Sequence, residues 1–153
     1  FSKDGAIGRE YWARYDVTGD KFNFFVYLPG PTEKKLVATS FGSPSTATWY
    51  FIMCWHDSAA DTQYIQINDG TVDSQATGGA LDAATAMPFA IGGRDIFDSA
   101  TNMDGRIDQV CFWKRVLSSG ERTQMYNSGA GLSYAQMQPV ATQVALLGVG
   151  AAG

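Results

Sequence analysis

The stretch from Asp104 to Gly129 reads DGRIDQVCFWKRVLSSGERTQMYNSG, and the change of pattern inside it decides the fold. From Gly105 to Trp113, β-branched and aromatic residues follow a Met-Asp-Gly turn signal, which predicts a strand buried on at least one face. After Leu117 the pattern becomes that of a short helix. Ser118 and Glu121 have the S-x-x-E spacing of a capping box, in which hydroxyl and carboxylate each satisfy a backbone N–H at the helix start. Gly129 stands where a helix stop is expected. About two or three turns are marginal alone in water, so the helix is expected to lie on a sheet, with Met125 and Tyr126 as anchors.

Upstream, Arg9 to Asp16 sets Tyr11, Ala13 and Tyr15 on one face against Glu10, Trp12 and Arg14 on the other. Thr18-Gly19-Asp20 turns the chain into Lys21 to Leu28, with Phe22, Phe24, Val26 and Leu28 on one face, so the pair reads as a hairpin. Pro29 to Glu33 reads as a loop and Lys35 to Phe41 as a third strand. Thr48 to Asp57, TWYFIMCWHD, is almost continuously hydrophobic, which predicts a central strand covered on both faces. Gln63 to Asn68 alternates and ends in Asn68-Asp69-Gly70, a strong hairpin signal. Ala76 to Ala86 is a small-residue loop, Pro88 to Gly93 a further strand, and Arg94 to Met103 a loop. Seven or so short strands with one late helix predict an all-β protein, a two-sheet antiparallel jelly-roll sandwich with a short C-terminal helix.

The pattern G-x-I-D-x-V-x-x-W-x-R-x-L-S followed by E-x-x-x-x-Y-N-x-G, from Gly105 to Gly129, resembles the closing segment of laminin G-like domains in the concanavalin A-like lectin/glucanase superfamily. Trp49, Tyr50, Ile52 and Asp57 match the W-Y-x-V-A-x-x-Y-D strand at the middle of such sheets, and PFAIGG is similar to the L-x-I-G strand before their last hairpin. The resemblance covers residues 1–131 and implies a concanavalin A-like sandwich. Residues 132–153 read as an extended, partly apolar tail. In the family an apolar residue followed by Ser-Lys and a turn comes after earlier strands, so FSKDG at Phe1 to Gly5 implies that a first strand lies outside this sequence. The resemblance also implies a calcium ion beside the I-D-x-V strand, with Asp108 as the matching ligand.

Composition bounds the function. The 153 residues suit one domain, and 45% hydrophobic with 17% charged residues describe an ordered chain with a lightly charged surface. A net charge of −4 argues against a nucleic-acid partner, which would need a basic face to displace counterions from phosphates. Cys54 and Cys111 lie in apolar stretches and read as buried free thiols, with a bridge open if their strands face one another. The apolar run Val140 to Gly153 is too short to span a membrane and is broken by Gln143 and glycines.

Catalysis by a retaining glycosidase would need two carboxylates about 5–5.5 Å apart. In enzymes that resemble this fold the pair usually comes from a strand bearing E-x-D-x-E, and the only glutamates here are Glu10, Glu33 and Glu121, far apart in sequence, the last belonging to the helix cap. His56 is the sole histidine and reads as a structural residue at a strand end, because Asp57, next along the strand, points to the opposite face. Zinc has no ligand spacing. Sugar binding would use an exposed aromatic face ringed by hydrogen-bonding side chains. Trp12 is the candidate for that face unless it packs inside the sandwich, and Trp55 and Trp113 read as core. Asp95, Asp98, Asn102 and Asp104 would form the polar rim.

The expectation is therefore a non-catalytic binding or adhesion module, extracellular or on a cell or virion surface, recognising a glycan or a protein. One alternative is a structural subunit of an extracellular or virion assembly, contacting neighbouring subunits through residues 132–153. Another is the carbohydrate-binding part of a larger glycoside hydrolase.

Overall fold

The computed structural model describes residues 1–5, 8–30, 32–83, 87–93, 102–133 and 135–137. Among these, seven strands form two antiparallel sheets. The first sheet has the order β1 (Ser2–Gly5), β2 (Gly8–Asp16), β3 (Lys21–Leu28), β4 (Thr32–Val37). The second has the order β5 (Ile52–Asp57), β6 (Thr62–Ile67), β7 (Val72–Ala76), and one helix, α1 (Ser119–Tyr126), follows. This is the concanavalin A-like sandwich that the sequence predicts.

The hairpin register explains the core. Tyr11 pairs with Val26 and Phe24 with Leu36, which sets these side chains on the inner face of the first sheet. Phe24, Val26, Leu36 and Ala38 pack there against Ile65 and Ile67 from β6, while Tyr11, Ala13 and Phe22 pack at the margin. Each large aliphatic or aromatic side chain so buried contributes about 1.5–3 kcal/mol. Strand β3 is buried on both faces, because Phe25 and Tyr27 on its outer side are also enclosed. Asn68 and Asp69 take left-handed backbone (φ 51° and 56°) in the connection from β6 to β7, where Gly70 N donates to Ile67 O at 2.9 Å and closes the turn.

Several expectations are corrected. Gly105 to Trp113 is not a strand: Gln109 lies at φ 51°, which breaks the extended backbone, and no pairing with another strand is formed among the described residues. Its alternation survives only as burial, with Cys111 and Trp113 half-buried and Ile107, Val110 and Phe112 exposed, Phe112 to 67%. The predicted central strand starts only at Ile52 and forms the edge of its three-stranded sheet; β6 is central instead. Strand β4 begins at Thr32 rather than Lys35, and Pro88–Gly93 contributes a single bridge, Ala90 to Ser2. Strand β7, VDSQA, has no apolar periodicity and was not expected.

The helix is as read at its start. Ser118 Oγ accepts from Glu121 N, and the Glu121 carboxylate accepts from Ser118 N at 2.8 Å. It ends earlier than predicted, because Asn127 takes the left-handed conformation at φ 47°, and Asn127–Gly129 forms a 3-10 turn. The helix lies on the outer face of the second sheet. Tyr126 packs on Phe51 at 5.8 Å, but the main anchor is Arg122, over the Trp55 ring at 4.5 Å. Trp55 stacks on Tyr64, so it belongs to this helix–sheet contact and not to the core between sheets.

Candidate functional site

Turn and loop segments cluster at the two ends of the sandwich, and each end carries chemistry. At one end lies a cleft of about 420 Å³ lined by His56, Ser58, Asp61, Gly79, Ala80 and Leu81. His56 Nε2 lies 3.3 Å from Thr77 Oγ1, which donates to Asp61 Oδ1 at 2.6 Å. Gly79 N donates to the same carboxylate oxygen at 3.1 Å. The Thr77 hydroxyl and the Gly79 amide hold the Asp61 carboxyl below its usual range, while burial pushes His56 below its ordinary value. Asp57, on the opposite face of β5 as predicted, accepts from Ala59 N and Ala60 N and shapes the turn.

At the other end, Tyr15 Oη donates to Asp20 Oδ1 at 2.7 Å, and Ser43 also bonds Asp20, holding its carboxyl low. The rings of Tyr15, Phe22 and Tyr50 touch in sequence, and Tyr50 Oη accepts from Ser45 N at 2.6 Å. Trp49, beside Tyr50, is 61% exposed. Sequence reasoning assigned it to a central strand; its exposure follows from β5 beginning three residues later.

Trp12 lies on the outer face of the first sheet, paired in register with Phe25. Its ring is 5.1 Å from that of Phe25, and the Arg14 guanidinium covers it at 4.5 Å. Lys35 reaches over Phe25 and bonds Asp16 at 3.1 Å. This is a half-buried aromatic floor under a cationic cover, outside the core. Asn102 is exposed, whereas Asp95 and Asp98 lie outside the described residues. Asn102 lies beside Gly93, whose carbonyl accepts from Ser2 Oγ at 3.1 Å, and Ser2 pairs in register with Trp12.

A family model described as concanavalin A-like lectin/glucanases superfamily, of laminin G type, matches residues 1–121. The chain belongs to the laminin G-like family. Comparison with curated proteins and with solved structures finds no match. Proteins of this superfamily commonly bind carbohydrates or proteins, and among the described residues of this laminin G-like domain no helix is long and apolar enough to cross a membrane.

The calcium expected in a laminin G-like domain needs six to eight oxygen ligands. Asp108 is exposed, and its Oδ1 accepts from Gln109 N at 2.7 Å. Among the described residues no group of three or more His, Cys, Asp or Glu side chains is placed to hold a metal ion, and Asp95 and Asp98 lie outside the described residues.

The two cysteines of the laminin G-like domain are unbridged. Burial pushes the Cys54 thiol up to about 12, beside the core, and Cys111 Sγ contacts Met137 Sδ at 3.3 Å. Leu132 is buried, so the described part of the predicted tail folds back on the domain; residues 138–153 lie outside the described residues.

Proposed function

We propose that this laminin G-like domain is a non-catalytic binding module that works outside the cytoplasm and recognises a glycan or a protein at a surface. The observation that supports it best is how the three glutamates are used. Glu10 pairs with Lys3, Glu33 accepts from Tyr27 Oη at 2.9 Å, and Glu121 is held by Ser118 and Arg115. Each is committed to a structural bond on a different element. Glycoside cleavage by paired acid and nucleophile needs two carboxylates converging on one bond.

The aromatic side chains that recognition requires are at the surface. Trp49 offers an uncovered ring, and Trp12 offers one that Arg14 must leave. A glycan array probed with the 153-residue chain, with Trp49→Ala and with Trp12→Ala tests the reading. Binding lost in either variant supports a lectin. Release of reducing sugar by the wild-type chain overturns the non-catalytic claim.

A second reading, a structural subunit of a surface assembly, is favoured by the exposed apolar run Ile107, Val110, Phe112 and Val116, with Phe89 beside Phe112 at 6.2 Å. An ordered multimer in sedimentation, lost in Phe112→Ser, would support it over the lectin reading.

A further inference from the structure

Phe89, Ile91, Met103, Ile107 and Phe112 are all exposed, and their surroundings place them side by side. The Phe112 ring lies 6.2 Å from that of Phe89, and Ile91 follows two residues on, past the Ala90–Ser2 bridge. Ile107 Cδ1 would meet a Cβ placed on Gly92 at 3.7 Å, and Met103 N donates to Gly92 O at 2.7 Å. The five side chains therefore gather along residues 88–93. They form an opening into the core. Phe112 stacks on Tyr11 at 6.2 Å, Phe89 lies 6.2 Å from Phe1, and Phe1 lies 6.4 Å from Tyr11, so four rings close a circuit. Phe1 and Tyr11 pack on the buried cluster between the sheets. Apolar surface thus runs by ring contacts from the margin of the core to solvent at Phe112, a patch of the kind that folded domains seldom leave uncovered.

The chain leads to this face. Met137 Sδ lies 3.3 Å from Cys111 Sγ, next along the chain from Phe112, and Leu132 is buried, so the last described residues are delivered to the edge of the patch. Residues 138–153, QPVATQVALLGVGAAG, hold no charged side chain, and neither do the five exposed residues of the patch. Val140, Thr142, Val144 and Leu146 alternate with Ala141, Gln143 and Ala145, a period that gives an extended segment one bulkier face. At about 3.3 Å per extended residue, residues 138–147 reach on the order of 30 Å, ample for a row whose measured step is 6.2 Å. A short tether also sets an effective concentration of about millimolar order, which favours the same chain over a second copy.

We infer that residues 138–153 return over the domain and cover the Phe89, Ile91, Ile107 and Phe112 face of their own chain, with Val140, Val144 and Leu146 as the contacting side chains. The inference stands apart from the binding-module reading. It assigns to the chain itself the face that the assembly reading would give to a neighbour.

The test is photo-cross-linking of the full 153-residue chain carrying Phe112→p-benzoylphenylalanine, read by mass spectrometry. The expected result is a cross-link to residues 138–153 in a species of monomer mass, with a yield that falls about tenfold when Val144→Asp and Leu146→Asp are added. Phe112 is exposed, so the probe leaves the core as it is. Trp49, exposed beside Tyr50 in a separate aromatic cluster, is the control position, from which the same probe is expected to miss the segment. A cross-link to residues 138–153 at dimer mass overturns the intramolecular claim and gives the face to a second copy. No cross-link to them from position 112, or equal capture from positions 112 and 49, overturns the docking itself.

Discussion

The Arg122 guanidinium carbon sits 4.5 Å from the centre of the Trp55 ring, and this contact holds the only α-helix among the described residues to its sheet. The same side chain donates to Gln66 Oε1 at 2.9 Å and to Leu117 O at 2.8 Å. Helix α1 buries no residue of its own, and its other ties to the sheet include the Tyr126–Phe51 ring contact and the bond from Thr123 Oγ1 to Asp69 Oδ1 at 3.1 Å.

Arg122→Ala is accordingly expected to cost about 2 kcal/mol, combining a cation–π contact with hydrogen bonds from a charged donor. Chemical denaturation gives the loss, and hydrogen exchange localises it: amides of residues 121–126 lose protection while those of β3 do not. Equal loss across both sheets would contradict this anchoring.

The helix start gives a second expectation. Ser118→Ala removes the cap acceptor and costs about 1 kcal/mol. The Arg115 guanidinium, then Ser118, holds the Glu121 carboxyl at about 2, below its ordinary 4.5. A lowered carboxyl stabilises the fold above its unfolded value, so this contribution is complete above pH 4.5 and disappears as pH falls toward 2. Carboxyl NMR titration of Glu121 in wild type and Arg115→Ala reads it directly; the variant should titrate higher.

His56 produces a pH effect in a different window. Burial lowers its pKa from 6.5, so the unfolded chain takes up the proton first as pH falls. Stability due to keeping the ring neutral is complete above pH 6.5 and declines from there toward the lowered folded value. Wild type should lose more stability than His56→Gln between pH 7.5 and pH 5. Identical losses would remove His56 from the explanation.

The thiols supply a chemical test of packing. With Cys54 pushed up to about 12 by burial and Cys111 also raised, neither carries much thiolate at pH 8. An aromatic disulfide reagent should label Cys54 only after unfolding in denaturant and Cys111 slowly in the native state. Rapid native labelling of Cys54 would mean that β5 opens beside the core.

Local signals made much of the fold legible. The alternation in β2 and β3, the turns at Thr18-Gly19-Asp20 and Asn68-Asp69-Gly70, and the Ser118–Glu121 box each involve residues near in sequence, whose geometry follows from their own chemistry. The run Gly105–Trp113 misled for the complementary reason. Its apolar pattern states what could be covered, but a strand exists only where another backbone pairs with it, and Gln109 at φ 51° prevents a continuous ladder. Strand β7 failed in reverse, since VDSQA gains its strand character from pairing with β6.

By itself the sequence determined the sandwich class, the β2–β3 hairpin faces and the helix cap, because side-chain period, turn residues and caps act within a few positions along the chain. The tertiary structure alone decided that Trp49 faces solvent, that Trp55 lies beneath Arg122, and that Thr77 stands between His56 and Asp61. Thr77 is 21 residues from His56 and 16 from Asp61, and only the pairing of β5, β6 and β7 brings the three together. A hydrogen bond depends on ångströms in space, and distance along the chain does not encode it.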